Sequence, residues 1–264
     1  EVFLLGGSER AILYAVYDFL QRLGCRWVAP NYNFYCSSSQ YIPVWKELKF
    51  NPSDLREELP TFAYRKLYVE EGRTHQTENL KQLIDWIPKV KLNILAFPID
   101  YEGKGIVKWD NWRDELVPEL KKRSILIEIG GHGYQNFINA SMENGTLFEK
   151  HPEWFGMDAS GKRSKNPHIV ICTSNIDAVE YLYANLRNYL KQHPEIGIFD
   201  FWPPDSETWC QCEQCRALGN ETERQVAAPG VTAETSPRFS EGLTRGRSWA
   251  WPRHGQGAIN WGQG

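Results

Sequence analysis

The segment from Asp200 to Cys215, "DFWPPDSETWCQCEQC", places acids, tryptophans and thiols directly after an apolar run. Asp205 and Glu207 lie two residues apart and follow a Pro-Pro pair, which restricts the backbone and lowers the entropy lost when the acids are oriented. One carboxyl group that stays protonated can donate to a glycosidic oxygen while its neighbour stays ionised. The pattern therefore indicates a catalytic acid pair, and a capped turn at the start of a helix is the structural alternative.

A second group of polar residues surrounds "IEIGGHGY". Glycines on both sides of His132 let the backbone approach a ligand closely, so we expect this histidine to bind a ligand rather than to serve only the fold. Glu128 either faces the same ligand or pairs with Arg65. Arg65 in turn either binds the hydroxyl groups of a ligand or neutralises the charge of Glu128. Tyr134 and Trp202 add aromatic surfaces that can stack on a sugar ring.

The three cysteines Cys210, Cys212 and Cys215 have a spacing that suits zinc ligands. A structural zinc site needs a fourth ligand, for which Cys172 or His193 would have to come near. Cys210 and Cys212 are too close in sequence to bridge each other easily, but either could form a disulfide with Cys172. The spacing favours a structural cross-link, formed by zinc or by a disulfide, over a reactive thiol.

Composition excludes several classes of partner. The 264 residues contain 30 Lys and Arg against 33 Asp and Glu, a net charge of -3, so no basic field is present to hold a nucleic acid. No stretch approaches the roughly 20 consecutive apolar residues of a membrane span. The 11 Trp, 12 Tyr and 12 Phe suit a thick core and also a surface that stacks on ligands.

Residues 1–55 have the pattern of a small α/β domain. Val2 to Leu5 is a short apolar run, and Ser8 can cap a following helix with regular apolar spacing. Cys25 to Ala29 is typical of a strand, and Trp45 to Phe50 is a candidate for another. The charged residues that follow are typical of a linker.

Residues 60–224 alternate apolar strand segments with amphipathic helices. The predicted strands are 62–69, 92–99, 125–129, 169–172 and 196–201, and the predicted helices are 78–90, 112–122 and 178–193. This alternation requires a parallel sheet, either closed as a barrel or open and doubly wound. Because polar and aromatic residues follow the strands, we expect a (β/α)8 TIM-type barrel.

Residues 225–264 show neither helical nor strand periodicity and are rich in Gly, Arg, Pro and Trp. The pattern is typical of an out-of-frame or foreign tail. We therefore expect the barrel to be truncated after about five of its eight strands, and the chain to have little or no hydrolase activity.

Four segments resemble the DUF4838 family of bacterial glycoside-hydrolase-like proteins, related to the endo-β-N-acetylglucosaminidases of glycoside hydrolase family 163. They are "LLGGSERAILYAVYDFLQRLGCRWVAP", "HPEWFGMDASGKR", "ICTSN" and "PPDSETWCQCEQC". The resemblance implies a small domain like the one that precedes the barrel in β-hexosaminidases and α-glucuronidases. It also implies export to the periplasm, the cell surface or the medium.

The resemblance further implies retaining, substrate-assisted cleavage of β-linked N-acetylhexosamine in an oligosaccharide or glycan, without a cofactor for catalysis. Asp205 would polarise the acetamido group, Glu207 would act as the acid, and His132 would bind substrate. Hexosaminidases have adjacent Asp and Glu, whereas Ser206 intervenes here. A non-catalytic carbohydrate-binding protein and an uronic-acid glycosidase are the alternatives.

Overall fold

The computed structural model describes residues 3–47, 59–69, 76–99, 108–203 and 208–224. In chain order its helices and strands are α1 (Glu9–Arg22), β1 (Arg26–Trp27), β2 (Gln40–Tyr41), β3 (Lys66–Tyr68), α2 (Thr77–Trp86), β4 (Ile94–Pro98), α3 (Arg113–Lys122), β5 (Leu126–His132), α4 (Met142–Gly145), α5 (Leu147–Lys150), α6 (Ile176–Gln192), β6 (Ile196–Trp202) and α7 (Glu213–Ala217). Contacts divide the chain into two compact units. The first comprises the described residues of 1–137 and 186–204, and the second those of 138–185 and 205–264.

Helix α1 confirms the prediction made from its capping residue. The Ser8 hydroxyl accepts a hydrogen bond from the amide of Ala11 at 3.2 Å, which satisfies a donor at the helix start. After the helix ends, Gly24 has a φ of 98°, a left-handed conformation that favours glycine. The Tyr14 hydroxyl donates to the carbonyl of Leu92 at 2.7 Å, so α1 packs on the segment that leads into β4.

The two short strands after α1 form an antiparallel pair in which Arg26 lies opposite Tyr41. Strand β1 lies within the predicted strand at 25–29. The strand predicted at 45–50 is wrong for residues 45–47, and residues 48–50 lie outside the described part. The indole of Trp45 donates to the carbonyl of Leu23 at 2.8 Å, so this segment docks on the end of α1.

A four-stranded parallel sheet in the order β3-β4-β5-β6 forms the centre of the first unit. Its registers pair Leu67 with Leu95, Leu95 with Ile127, and Ile129 with Phe199. Helices α2 and α3 pack on one face and contribute a buried apolar set, Leu80, Leu83, Ile84, Leu116 and Leu120. The predicted α/β class and parallel sheet are therefore confirmed.

The strand predicted at 169–172 is wrong, because these residues lie in a loop. The amide of Val170 donates to the carbonyl of Thr208 at 3.1 Å, and the amide of Cys172 donates to Trp154 at 2.9 Å. Nearby residues thus bond to two different segments, and no ladder forms. Strand β6 pairs directly with β5 instead. The residues at 169–172 are apolar because they are largely buried. Buried loops and buried strands are both apolar, so composition alone does not distinguish them.

The second unit is built mainly from turns around its part of α6. Segments α4 and α5 each have four residues, and Glu143 and Asn144 of α4 have left-handed backbone rather than helical geometry. Met157 forms an isolated antiparallel bridge with Arg163. Helix α7 begins after Cys212, whose sulfur accepts a hydrogen bond from the amide of Cys215 at 3.4 Å. With so little regular structure, this unit depends on side-chain contacts to hold its loops together.

Candidate functional site

The two faces of the parallel sheet differ in chemistry. Phe97 and Ile129 belong to the buried core that α2 and α3 cover. Because side chains alternate between faces along a strand, the neighbouring positions project from the opposite face. His132 on β5 lies in register with Trp202 on β6, and Glu128 lies four residues before His132, on the same face of β5. The sheet therefore places these predicted residues on one surface.

Glu128 is buried within the sheet and has a cationic partner. Its side chain is 5% exposed, and its Oε1 lies 2.6 Å from Nζ of Lys66 on β3. Lys66 reaches across β4, where the residue in register with Glu128 is Ala96. The ion pair compensates a carboxylate that would be costly to bury alone.

Arg65, which was predicted to bind substrate or to neutralise Glu128, lies just before β3 at its amino end. Its guanidinium donates to the carbonyls of Lys91 and Phe62, each at 2.6 Å, and lies 5.7 Å from the ring centroid of Tyr14. These contacts hold the backbone in place just before β3. The partner of Glu128 is thus Lys66, the next residue along the chain.

Three rings meet at the carboxyl ends of β3, β5 and β6. Trp202 lies edge-to-face against His132, with ring centroids 5.0 Å apart, and near-parallel to Tyr68 at 6.5 Å. All three residues are partly exposed. Because binding sites of parallel α/β folds lie at the carboxyl ends of the strands, this aromatic corner is the candidate ligand surface.

His132 has a defined tautomer in this corner. Its Nδ1 lies 2.7 Å from the carbonyl oxygen of Pro203, and a carbonyl can only accept, so Nδ1 carries a proton. In the neutral ring, Nε2 is then an acceptor. His132 is also the last residue of β5, which extends beyond the predicted strand end at residue 129.

Three other predicted residues are described only in part or not at all. The backbone of Tyr134 starts a 3-10 turn, Tyr134–Asn136, directly after β5, and its side chain lies outside the described residues. Asp205 and Glu207 lie outside them altogether. The acid pair therefore stays a prediction from the sequence.

The structure brings all four predicted thiol ligands together in the second unit. The sulfur atoms of Cys172, Cys210, Cys212 and Cys215 lie within 4.8 Å of one another, and all four residues are buried. None forms a disulfide. Of the two predicted fourth ligands, Cys172 is the one in the cluster.

His193, the other predicted fourth ligand, lies elsewhere. Its Nε2 is 2.7 Å from a carboxylate oxygen of Asp110, and its Nδ1 is 2.8 Å from the carbonyl of Tyr189. Both contacts lie in the first unit, where the buried imidazole links the end of α6 to the segment before α3.

The cysteine cluster has unequal proton affinities. Hydrogen bonds from Cys172 and Cys210 lower the pKa of the Cys215 thiol far below its ordinary value of 9.0. Burial raises the pKa of Cys212, but hydrogen bonds from the Cys215 amide, the Ser174 hydroxyl and the Cys210 thiol lower it, and the net shift is downward. The thiols of Cys172 and Cys215 raise the pKa of Cys210. The close contacts among the thiols therefore shift their pKa values in opposite directions.

Sequence reasoning missed four residues that form or support these sites, and one of them is Tyr68 of the aromatic corner. Lys66 pairs with Glu128, and Arg163 and Ser174 contact the cysteine sulfurs. Lys66 offered a signal, since it alternates with Tyr68 and therefore shares its face of β3. Arg163 and Ser174 offered none, because loops bring them to the cysteines.

The family described as "Domain of unknown function (DUF4838)" matches residues 34–239, more than three quarters of the chain. The chain belongs to the DUF4838 family. This confirms the predicted membership of the DUF4838 family, and three of the four sequence segments lie within the matched residues. The DUF4838 match includes residues 225–239, which the sequence pattern assigned to a tail and which lie outside the described residues.

No curated protein matches this DUF4838 chain. Among the residues that the structure describes, no helix is both long enough and apolar enough to cross a membrane.

Proposed function

We propose that this DUF4838 chain recognises glycans on the polar face of its parallel sheet, as part of a retaining glycoside hydrolase. The observation that carries the proposal is the meeting of Tyr68, His132 and Trp202 at the carboxyl ends of three strands. We further propose that the sheet is part of a (β/α)8 barrel, since parallel strands with helices on one face are the building units of that fold.

The aromatic corner has the groups that sugar recognition needs. A sugar ring presents an apolar face that can stack on the indole of Trp202, while its hydroxyl groups can bond to Nε2 of His132. The Lys66–Glu128 pair below the corner offers both a donor and an acceptor. A mixed aromatic and charged lining of this kind suits a flat, hydroxyl-rich ligand.

For the reaction, we propose that Asp205 and Glu207 act just beyond Trp202 in the sequence. The acetamido oxygen of the substrate attacks the anomeric carbon while Glu207 transfers its proton to the departing glycosidic oxygen. Asp205 holds the acetamido N–H and stabilises the charge that develops on this group. Water then opens the cyclic intermediate with Glu207 as the base, so the anomeric configuration is retained.

The two alternatives predict different behaviour. A non-catalytic binding protein would bind glycans without cleaving them. An uronic-acid glycosidase would need a cation for the substrate carboxylate, but Lys66 is already paired with Glu128, and Arg65 donates to backbone carbonyls. We therefore propose a neutral N-acetylhexosamine as the ligand, because Lys66 and Arg65, the two cations considered among the described residues, already have partners.

Binding can be tested with Trp202→Ala, titrated with oligosaccharides that contain β-linked N-acetylglucosamine. We expect the dissociation constant to rise about tenfold, because aromatic stacking contributes about 1–1.5 kcal/mol. Tyr41→Ala is the matched control, since Tyr41 is an exposed aromatic residue on β2 and should leave affinity unchanged. Equal affinity of the wild type and Trp202→Ala would contradict the proposed surface.

Catalysis is best tested in a second DUF4838 protein that carries the same acid pair. There, the substitution equivalent to Glu207→Gln should lower turnover about 10²–10⁴-fold with little change in substrate affinity, as for the loss of a general acid. Binding without hydrolysis of any N-acetylglucosaminide by the unsubstituted protein would favour the non-catalytic alternative.

A further inference from the structure

The four buried sulfurs of the second unit have the spacing of a metal-thiolate centre. Sγ of Cys172 lies 3.6 Å from that of Cys212 and 3.7 Å from that of Cys215. Four sulfurs in a tetrahedron about 2.3 Å from a zinc ion are about 3.8 Å apart. A disulfide requires a separation of about 2.05 Å instead. The geometry points to a site for one Zn²⁺ bound by Cys172, Cys210, Cys212 and Cys215.

The backbone around the cluster is arranged to receive thiolates. The amide of Cys215 donates to Sγ of Cys212, and the amide of Met157 donates to Sγ of Cys210, each at 3.4 Å. Such N–H donors stabilise negative charge on sulfur, as the supporting hydrogen bonds of metal ligands do. The segment Cys210–Cys215 and the segment around Met157 thus both supply backbone N–H donors to the sulfurs.

Side chains add further compensation for the charge of the centre. Four thiolates and one Zn²⁺ leave a net charge of -2, and the guanidinium of Arg163 lies 3.4 Å from Sγ of Cys210. The Ser174 hydroxyl lies 3.2 Å from Sγ of Cys215. Arg163 is held in place by its bond to the carbonyl of Phe155 at 2.7 Å. The cluster is therefore a built site with its own supporting contacts.

This zinc centre is structural. All four coordination positions are filled by protein sulfurs, and each ligand is buried, so no position is open for water or substrate. Binding releases the thiol protons to solvent as the four Zn–S bonds form. The ion then joins the loop at Cys172 to the segment Cys210–Cys215, which follows the candidate acids in sequence. The proposal does not depend on glycan hydrolysis.

The first test is metal analysis of the full chain, loaded with zinc and then freed of excess metal by gel filtration. We expect about one zinc per chain. In zinc-free protein loaded with Co²⁺, we expect the sulfur-to-cobalt charge-transfer bands and the visible bands of a tetrahedral thiolate site. Less than about 0.1 zinc per chain, iron in place of zinc, or a disulfide among the four cysteines by mass spectrometry would each overturn the proposal.

Variants localise the metal. Cys215→Ser should lose the bound zinc, whereas Cys36→Ser, which removes an exposed free thiol, should keep one zinc per chain. Arg163→Gln should retain the four ligands, but its affinity for zinc should fall by at least about tenfold, as expected when a contact that supports a metal ligand is lost. If Cys215→Ser fails to fold, the cobalt spectrum of the wild type and the zinc affinity of Arg163→Gln still test whether the four cysteines bind the metal. Zinc retained by folded Cys215→Ser would contradict the assignment.

Discussion

At the residue scale, the central contact of the sheet face is an ion pair between partners of unequal burial. The Glu128 side chain is 5% exposed, whereas that of Lys66 is 40% exposed. A half-exposed pair contributes little through attraction alone, because solvent screens the lysine. Removal of the lysine is costly for another reason, since it leaves a buried carboxylate without its cation.

Lys66→Met keeps the aliphatic stem and removes the charge. We expect the free energy of unfolding to fall by about 2 kcal/mol, less than for a fully buried pair because Lys66 is partly screened. Urea denaturation monitored by tryptophan fluorescence measures this change. Lys81→Met is the matched control, because Lys81 pairs with the exposed Glu115 and its substitution should destabilise the protein clearly less than Lys66→Met does.

A double-mutant cycle checks the cause of this loss. Adding Glu128→Gln to Lys66→Met removes the buried carboxylate charge that has lost its lysine and should recover part of the lost stability. Strictly additive losses would show that the two side chains do not interact in solution.

At the element scale, the end of β5 is set by close packing against the end of β4. A Cβ atom on Gly133 would lie 1.5 Å from Cδ1 and 2.3 Å from Cγ1 of Ile99, which is fully buried. The amide of Gly133 also donates to the carbonyl of Trp202 at 3.2 Å. The missing side chain therefore lets the residue after His132 fit between the strand ends, and this keeps the aromatic corner in place.

Gly133→Ala should destabilise the protein by about 1–3 kcal/mol, the usual cost of overpacking a core position. Thermal or urea unfolding measures it, and Gly7→Ala is the control, since a Cβ at Gly7 meets no atom within 4 Å. Combining Gly133→Ala with Ile99→Val removes Cδ1 and should reduce the added penalty. A Gly133→Ala protein as stable as the Gly7→Ala protein would rule out the close contact.

At the scale of the whole molecule, the two units rely on different sources of stability. The first has a parallel sheet and a continuous apolar core beneath α2 and α3. The second has its cysteines as a buried cluster, with Met157 packed against them. A small unit of turns gains much of its stability from a metal that joins distant segments.

Zinc removal should therefore act on the second unit alone. With a chelator and a reductant, we expect hydrogen exchange of the backbone amides at 154–172 and 208–217 to increase, while amides of β4 and β5 keep their protection. Mass spectrometry of peptic fragments measures both regions in one sample. Equal loss of protection in β4 and β5 would show that the two units unfold together.

The sequence by itself determined the features that depend on local order. The Ser8 cap and apolar spacing predicted α1, and the same periodicity predicted α2, α3 and α6 to within a few residues. The alternation of strands and helices predicted the parallel sheet. These features are readable because capping and amphipathic spacing involve residues that are neighbours in the chain.

Only the tertiary structure decided the features that depend on distant partners. The run at 169–172 is apolar like a strand, but its backbone bonds to Trp154 and Thr208, and its cysteine completes the thiol cluster. Likewise, two adjacent cations were available to Glu128, and the register of β3, β4 and β5 selected Lys66. Apolar composition indicates that a segment is buried, and a buried charge indicates that it needs a partner of opposite charge. Neither identifies which distant segment provides the contact.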